Sequence, residues 1–155
     1  MRHLLSFLLL LAICLPLSAE VAKDSSNVFR LNLPEGYSYG SKERVWKSSD
    51  KTKSCVLQST TGGENDPRSA PEAFIEIGRQ FKIEFTAKSQ IRLDGFQASV
   101  RDGYMGKGAN KQWIRLIVGF KTESKGALIM LVSKDSEPGE LTDVYSAMLA
   151  SFHWL

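Results

Sequence analysis

The chain has 155 residues, a formal net charge of +3 and 43% hydrophobic residues. This length suits one folded domain with its own hydrophobic core. The charge is close to neutral, so the composition gives no indication of a nucleic-acid partner, which would need a clustered basic surface.

The first 19 residues have the pattern of a secretory signal peptide. Arg2 gives a basic start, an apolar run covers residues 4–15, and small residues lead to a cleavage position after Ala19. Cleavage there leaves residues 20–155 as a single α+β domain, either periplasmic or secreted. The apolar run is shorter than the roughly 20 residues of a membrane span, and an uncleaved anchor is the alternative to cleavage.

The two cysteines have different expected roles. Cys14 lies in the signal segment, and its surroundings leave open a lipoprotein signal in which Cys14 is acylated and anchors the chain. Cys55 is the only cysteine after the cleavage position, so the exported chain has no internal disulfide. Its strand-like context "SCVLQS" favours a buried core residue, and the alternative is a thiol that pairs with another chain.

The first half of the chain predicts three short strands. Apolar and polar residues alternate over residues 28–33, which is typical of a half-buried strand, and "LPEGY" then predicts a turn. Residues 44–47 and 55–59 indicate two more strands. The polar segment "TTGGENDPRS" that follows has the composition of a loop.

Two helices and four further strands are predicted in the rest of the chain. Ser69 and Glu72 have the spacing of a capping box, and Pro138 opens a second helix. Apolar residues recur at helical spacing on both inner faces: Ala70, Ala73, Phe74, Ile77 and Phe81, and then Leu141, Val144, Tyr145, Met148 and Phe152. The strands between the helices are residues 91–93, 96–100, 113–120 and 127–133. The order β-β-β-α-β-β-β-β-α with short connections predicts an α+β fold, in which helices flank a mainly antiparallel sheet.

The segment Gly36-Tyr37-Ser38-Tyr39-Gly40 matches Gly-x-Ser-x-Gly, the pattern around the nucleophilic serine of many hydrolases. That serine needs a strand before it and a helix after it, in a largely parallel sheet. Ser38 follows a single predicted strand, and the residues after it predict another strand. The segment is therefore interpreted as a turn that exposes Tyr37 and Tyr39, and no catalytic residue is assigned.

An enzyme of a different arrangement remains the alternative function. It would be a small secreted hydrolase that uses Ser38 or Cys55 with His153, the only histidine after the signal segment. One cysteine and one histidine fall short of the four ligands of a structural zinc site, so no metal is assigned. Glu64 and Asp66 leave a weak calcium site open, without the ligand spacing of an EF-hand.

The glycine-rich segment "RDGYMGKGANKQ" is interpreted as a flexible hairpin tip between two antiparallel strands. Its glycines lack the spacing of a phosphate-binding loop, and no cofactor is assigned. Large apolar side chains at an exposed tip would mark a contact site, which makes Tyr104 and Met105 candidates. The alternative is that both side chains fold back on the edge of the sheet.

Three segments together resemble the PsbP-like family. "FRLNLPEGY" is similar to the opening strand and turn of that family, "IRLDGFQASV" to its mid-chain strand pair, and "LTDVYSAMLASFHW" to its closing helix with a short terminal strand. The resemblance implies an antiparallel sheet sandwiched by helices, in an α/β/α arrangement. It also implies a binding or accessory role without a shared catalytic centre, and the signal segment favours bacterial envelope members similar to DcrB.

The leading expectation is a non-enzymatic periplasmic or secreted protein that binds another protein. Its partner would be an envelope protein or, in a narrower version, a toxin that this chain neutralises as an immunity protein. Exposed aromatic and arginine side chains are the expected anchors. The candidates are Tyr37, Tyr39, Trp46, Arg101, Tyr104 and Met105.

Overall fold

The structure, a computed structural model, describes residues 21–41, 44–60 and 70–155. The signal segment, Cys14, Glu64, Asp66 and Ser69 lie outside these ranges, and so do the side chains of Ala70 and Val144. Within the described ranges, the elements follow one another in this order: β1 (Val21–Lys23), β2 (Phe29–Asn32), β3 (Tyr37–Gly40), β4 (Val45–Ser48), β5 (Lys53–Thr60), α1 (Ala70–Phe81), β6 (Glu84–Leu93), β7 (Phe96–Met105), a 3-10 turn (Gly108–Asn110), β8 (Gln112–Thr122), β9 (Lys125–Ser133), α2 (Pro138–Ala150) and β10 (His153–Trp154).

Seven strands form one large sheet, in the spatial order β3-β4-β5-β9-β8-β7-β6, and every neighbouring pair is antiparallel. The register aligns Val100, Ile117, Ile129 and Leu57 in one row across four of these strands. β1, β2 and β10 form a second, three-stranded antiparallel sheet. The prediction of an α+β fold with a mainly antiparallel sheet is confirmed.

The large sheet is covered on both faces because its central strands alternate between two hydrophobic cores. Leu116 and Val118 of β8 pack in the core that contains Phe74 of α1. Ile117 points to the other core, which contains Tyr145 of α2 and residues of the small sheet. α1 therefore covers one face, and α2 with the small sheet covers the other, which gives a three-layer arrangement. Each fully buried aliphatic or aromatic side chain contributes roughly 1.5–3 kcal/mol of burial free energy.

α1 ends in a turn that fixes where its apolar face stops. Lys82 has a left-handed backbone with φ 54°, and the Ile83 N–H donates to the Gly78 carbonyl at 2.8 Å, an arrangement typical of helix C-termini. Phe74 is buried, with its ring 6.0 Å from that of Phe85. Phe81 was expected on the inner face but is 43% exposed, because it lies in the last turn, where the chain leaves the helix.

α2 and the residues after it close the second core. Tyr145 and Met148 are buried under the helix, and Phe152 and Trp154 are buried beyond it. Phe152 stacks on Phe29 of β2 at 5.1 Å. The chain therefore returns from α2 into the small sheet as β10, the short terminal strand that the family resemblance implied.

The structure corrects the predicted order at several strands. β3 occupies residues that were predicted to form a turn, and β1 precedes the first predicted strand. β6 begins at Glu84 instead of residue 91, because an edge strand with both faces largely exposed lacks apolar alternation. β7 continues to Met105 instead of ending at residue 100.

Candidate functional site

The Gly-x-Ser-x-Gly segment does not form a nucleophile turn. Ser38 lies inside β3, an edge strand of the large sheet, opposite Lys47 of β4. The next element along the chain is a strand and not a helix. The sequence prediction that this motif is not a hydrolase elbow agrees with this geometry, whereas the interpretation of the segment as a turn is wrong.

The serine, cysteine and histidine of the alternative hydrolase do not form hydrogen bonds with one another among the described residues. His153 lies on β10, and its Nδ1 is 3.1 Å from Asp94 Oδ2. The same carboxylate accepts the Trp154 backbone N–H at 3.1 Å. Cys55 is fully buried, and this burial raises the pKa of its thiol, which keeps it protonated and unreactive.

Tyr37 belongs to the core, so its expected exposure is wrong. Its side chain is 9% exposed, and its hydroxyl is hydrogen-bonded to the hydroxyl of Tyr145 on α2. The two rings meet edge to face at 6.0 Å. Burial raises the pKa of Tyr37 to about 12, and it raises the pKa of Tyr145 as well. The remaining predicted anchors lie in two separate places.

Tyr39 and Trp46 form an aromatic pair at one edge of the large sheet. They are directly opposite each other on β3 and β4, with ring centroids 4.9 Å apart and an interplanar angle of 46°. Tyr39 is 50% exposed, while Trp46 is half-buried against the core. The pair lines a cavity of about 380 Å³, here called the edge cleft, whose other lining residues are Lys23, Ser25, Arg44, Val56, Leu57 and Gln58.

Tyr104 lies at the opposite side of the sheet, where β7 meets β8. It is directly opposite Trp113, with ring centroids 5.9 Å apart and an interplanar angle of 77°. Lys111 Nζ lies 4.2 Å from the Tyr104 centroid and 4.0 Å from the Trp113 centroid, so one ammonium contacts both ring faces. Sequence reasoning missed Trp113 and Lys111 as members of this cluster.

The hairpin tip beyond this cluster is a defined turn. Gly106 and Gly108 have φ values of 78° and 57°, and a Cβ on Gly106 would lie 2.4 Å from the Asn110 carbonyl oxygen. The Asn110 N–H donates to the Lys107 carbonyl at 3.2 Å. Because β7 extends to Met105, the tip is shorter and more constrained than the flexible loop that the glycines predicted.

A cavity of about 540 Å³ lies against the tip. Its charged side chains are three lysines and one glutamate: Lys82, Lys107, Lys111 and Glu84. A hydrogen bond from the Tyr104 hydroxyl to the Glu84 carboxylate raises the pKa of Tyr104. These four residues together with Tyr104 and Trp113 are here called the hairpin surface.

Arg101 and Met105 are on the other face of β7 from Tyr104. Met105 packs against the core under α1, and the Arg101 guanidinium lies 5.2 Å from the centre of the Phe74 ring. Both side chains are half-buried. Met105 therefore folds back on the sheet, as the alternative prediction had it. Tyr104 instead lies at the surface, in the cluster with Trp113.

The described residues give no sign of a metal centre or a membrane span. In this part of the chain, no three acidic, cysteine or histidine side chains are grouped closely enough to hold an ion. None of its helices is both long and apolar enough to cross a bilayer. Glu64 and Asp66, the residues of the weak calcium site that the sequence left open, lie outside the described ranges.

No family model and no curated protein matches this sequence. Solved structures do resemble it. The solution structure of cyanobacterial PsbP (CyanoP) from Synechocystis superposes with a TM-score of 0.65 at 11% identity, over 89% of this chain and 93% of that one. LpqN, described as involved in cell envelope biogenesis of Mycobacterium tuberculosis, gives 0.56 at 14% identity, over 86% and 88%. A Bacteroides thetaiotaomicron protein gives 0.61 at 8% identity, over 89% of this chain and 49% of that one.

These identities are too low to transfer an activity, but the superpositions extend over most of the chain. They agree with the layered antiparallel architecture and with the three sequence segments that resembled PsbP. The narrower likeness to DcrB-type proteins stays a prediction. The chain has a PsbP-like fold.

Proposed function

We propose that this protein is a non-enzymatic binding or accessory protein of the cell envelope, and that it contacts a partner protein through the hairpin surface. The observation that carries the proposal is the Tyr104–Lys111–Trp113 cluster. It presents two aromatic rings and an ammonium at the end of a hairpin. Aromatic side chains held on a rigid scaffold are the usual anchors of protein interfaces.

The base of the hairpin supports this role because it holds the cluster in place. Arg115 Nε and Nη2 donate to the two carboxylate oxygens of Asp102, both at 2.7 Å. These residues are opposite each other on β7 and β8, two positions from Tyr104 and Trp113 and on the same face. A two-point ion pair that is largely shielded from water fixes the hairpin, so a partner would meet a surface that is already ordered.

Charge indicates the chemistry of the partner. The hairpin surface has three lysines and one glutamate, so it attracts an acidic protein surface. The envelope location is supported by the signal pattern of residues 1–19, and LpqN, which has the same fold, is described as involved in envelope biogenesis. Export followed by cleavage after Ala19 and lipid anchoring through Cys14 are the two forms of this location. In the narrower version of the proposal, the partner is a toxin and the chain is its immunity protein.

Site-specific photo-crosslinking in the producing cells tests the proposal. A photo-crosslinking amino acid at position 107 should give a discrete adduct with an envelope protein, because Lys107 is exposed at the tip. The matched position is Glu123, also exposed, in the β8–β9 turn at the far end of the same sheet. No adduct, or the same adduct from both positions, would contradict a role for the hairpin surface.

Tyr104→Ala separates binding from folding at this surface. Removing the ring should weaken affinity for the crosslinked partner by about 1–2 kcal/mol or more. Thermal stability should change little, because the Tyr104 side chain is only half-buried and Trp113 and Lys111 stay in place. Calorimetric titration measures the first quantity and thermal unfolding the second. A loss of stability with unchanged affinity would assign Tyr104 to the core.

A further inference from the structure

The edge cleft combines an exposed aromatic platform with unused positive charge. Tyr39 and Trp46 are tilted by 46°, so their rings form an open corner and not a closed stack. Tyr39 keeps 50% of its surface exposed. An exposed corner of two aromatic rings offers apolar faces on which a flat or ring-shaped ligand stacks.

The two cations of the cleft are Lys23, at the end of β1, and Arg44, just before β4. Among the described residues, neither has an ion-pair partner. No lining residue is acidic. The nearby Asp24 is buried, and its carboxylate accepts the backbone N–H groups of residues 26, 28 and 29. Among its described lining residues, the cleft therefore has two positive charges and no negative charge, whereas the hairpin surface includes Glu84.

The remaining polar groups indicate a ligand with several hydroxyls. The Ser25 hydroxyl lines the cleft, and so do residues 56–58 of β5, beyond the last residue that pairs with β4. The backbone groups along this edge of β5 and the Ser25 hydroxyl supply hydrogen-bond donors and acceptors. A purely aromatic anion would make no use of these groups, which would stay hydrated. The volume of about 380 Å³ lies in the lower part of the usual range for ligand sites, which suits one or two rings.

From these features we infer that the edge cleft binds an anionic sugar, with one face of the sugar ring on Tyr39 and Trp46 and its carboxylate or phosphate between Lys23 and Arg44. The apolar C–H face of a sugar ring matches the aromatic corner, and its hydroxyls match Ser25 and the backbone groups at the free edge of β5. The site is at the β3 edge of the large sheet, away from the β7–β8 hairpin. It is independent of the proposed protein-binding function.

An NMR titration of the exported protein tests this site with matched probes. D-glucuronate and D-glucose differ in the carboxylate, D-glucose 6-phosphate carries the charge as phosphate, and benzoate carries it without hydroxyls. The Trp46 indole N–H reports on the cleft. At low ionic strength, glucuronate, glucose 6-phosphate or both should bind at least about fivefold more tightly than glucose, the effect expected of one or two exposed ion pairs. The tighter of the two identifies the preferred anion.

Three results overturn the inference: no shift of the Trp46 signal at millimolar probe, glucose binding as tightly as both anionic sugars, or benzoate binding as tightly as either. Tyr39→Ala should weaken anionic-sugar binding severalfold, and Arg44→Gln should remove most of the preference over glucose. Lys88→Gln, which removes a charge at the opposite edge of the sheet, is the matched control and should bind as the parent does. Folded Tyr39→Ala and Arg44→Gln proteins that both bind like the parent would also overturn it.

Discussion

Tyr37 and Tyr39 are the same residue type, two positions apart on one strand, and they have opposite environments. Both side chains are on the same face of β3, since successive side chains in a strand alternate. Tyr37 is 9% exposed and bonded to Tyr145, whereas Tyr39 is 50% exposed and contacts Trp46. The alternation along a strand determines the face on which a side chain lies. Whether that side chain is buried depends on which element covers the face at that position.

The covering element in this case is α2, which reaches one end of β3 and not the other. Tyr145 of α2 meets Tyr37, while Tyr39 is farther along the strand, where the seam with the small sheet opens into the edge cleft. One tyrosine therefore stabilises the fold and the other is available to a ligand. Changes at the two positions should separate stability from binding, and the following predictions test that separation.

Tyr145→Ala should cause the largest loss. Tyr145 is fully buried, and truncation leaves a cavity between α2 and the sheet and also deprives Tyr37 of its hydrogen-bond partner. We expect the free energy of unfolding to fall by about 3–5 kcal/mol, as for other large aromatic residues in cores. Urea unfolding measures the change. Ser146→Ala, at an exposed position on the same helix, is the control and should change stability by less than about 0.5 kcal/mol.

The second prediction concerns alkaline pH. Burial raises the pKa of Tyr37 from 10.0 to about 12, so between these values the unfolded chain ionises Tyr37 while the folded chain does not. The stability that comes from keeping Tyr37 neutral is fully present below pH 10 and is lost as pH rises through 12. Over this interval the free energy of unfolding should fall by at most about 2–3 kcal/mol from Tyr37. Urea unfolding across this interval should show a steeper loss in the parent than in the double variant Tyr37→Phe/Tyr145→Phe. If stability fell equally steeply with pH in the parent and in the double variant, the buried tyrosine pair would not be the cause of the loss at alkaline pH.

The third prediction measures the bond between the two tyrosines. Tyr37→Phe or Tyr145→Phe alone leaves one buried hydroxyl without its protein partner, and each should cost about 1–2 kcal/mol. The double variant removes both hydroxyls and should cost less than the sum of the two single changes. Additive losses in this double-mutant cycle would mean that the hydroxyls are solvated independently.

Periodicity predicted most of the fold, and the misses have a common cause. β8 and β9 alternate between two cores, and their apolar runs identified them as central strands. The predicted range of β6 is too short because the exposed residues of this strand lack apolar alternation. β3 is not predicted as a strand because the glycines and the proline around it indicate a turn. Both are edge strands with largely exposed residues, so apolar alternation, the main local signal of a strand, is weak in them.

The candidate site was only partly predictable. Tyr39, Trp46 and Tyr104 were identified as surface aromatics, but the burial of Tyr37 depends on a residue 108 positions away. Trp113 could have been found, because it lies as far after the glycine-rich tip as Tyr104 lies before it, and hairpin pairing places them opposite each other. Lys23 joins the edge cleft only through packing of the small sheet on the large one, which no local pattern predicts.

Tyr39→Ala should have the smallest effect on stability and completes the comparison with Tyr37. The exposed ring contributes through its cross-strand contact with Trp46, and such pairs are worth roughly 0.2–1 kcal/mol. We expect a loss of that size in urea unfolding with an unchanged denaturant slope, because the core under α2 is untouched. Trp46 should become more accessible to iodide quenching, while the core residue Trp154, which is 2% exposed, should not. A loss as large as that of Tyr145→Ala would place Tyr39 in the core, and the division of β3 into a structural end and a binding end would then be wrong.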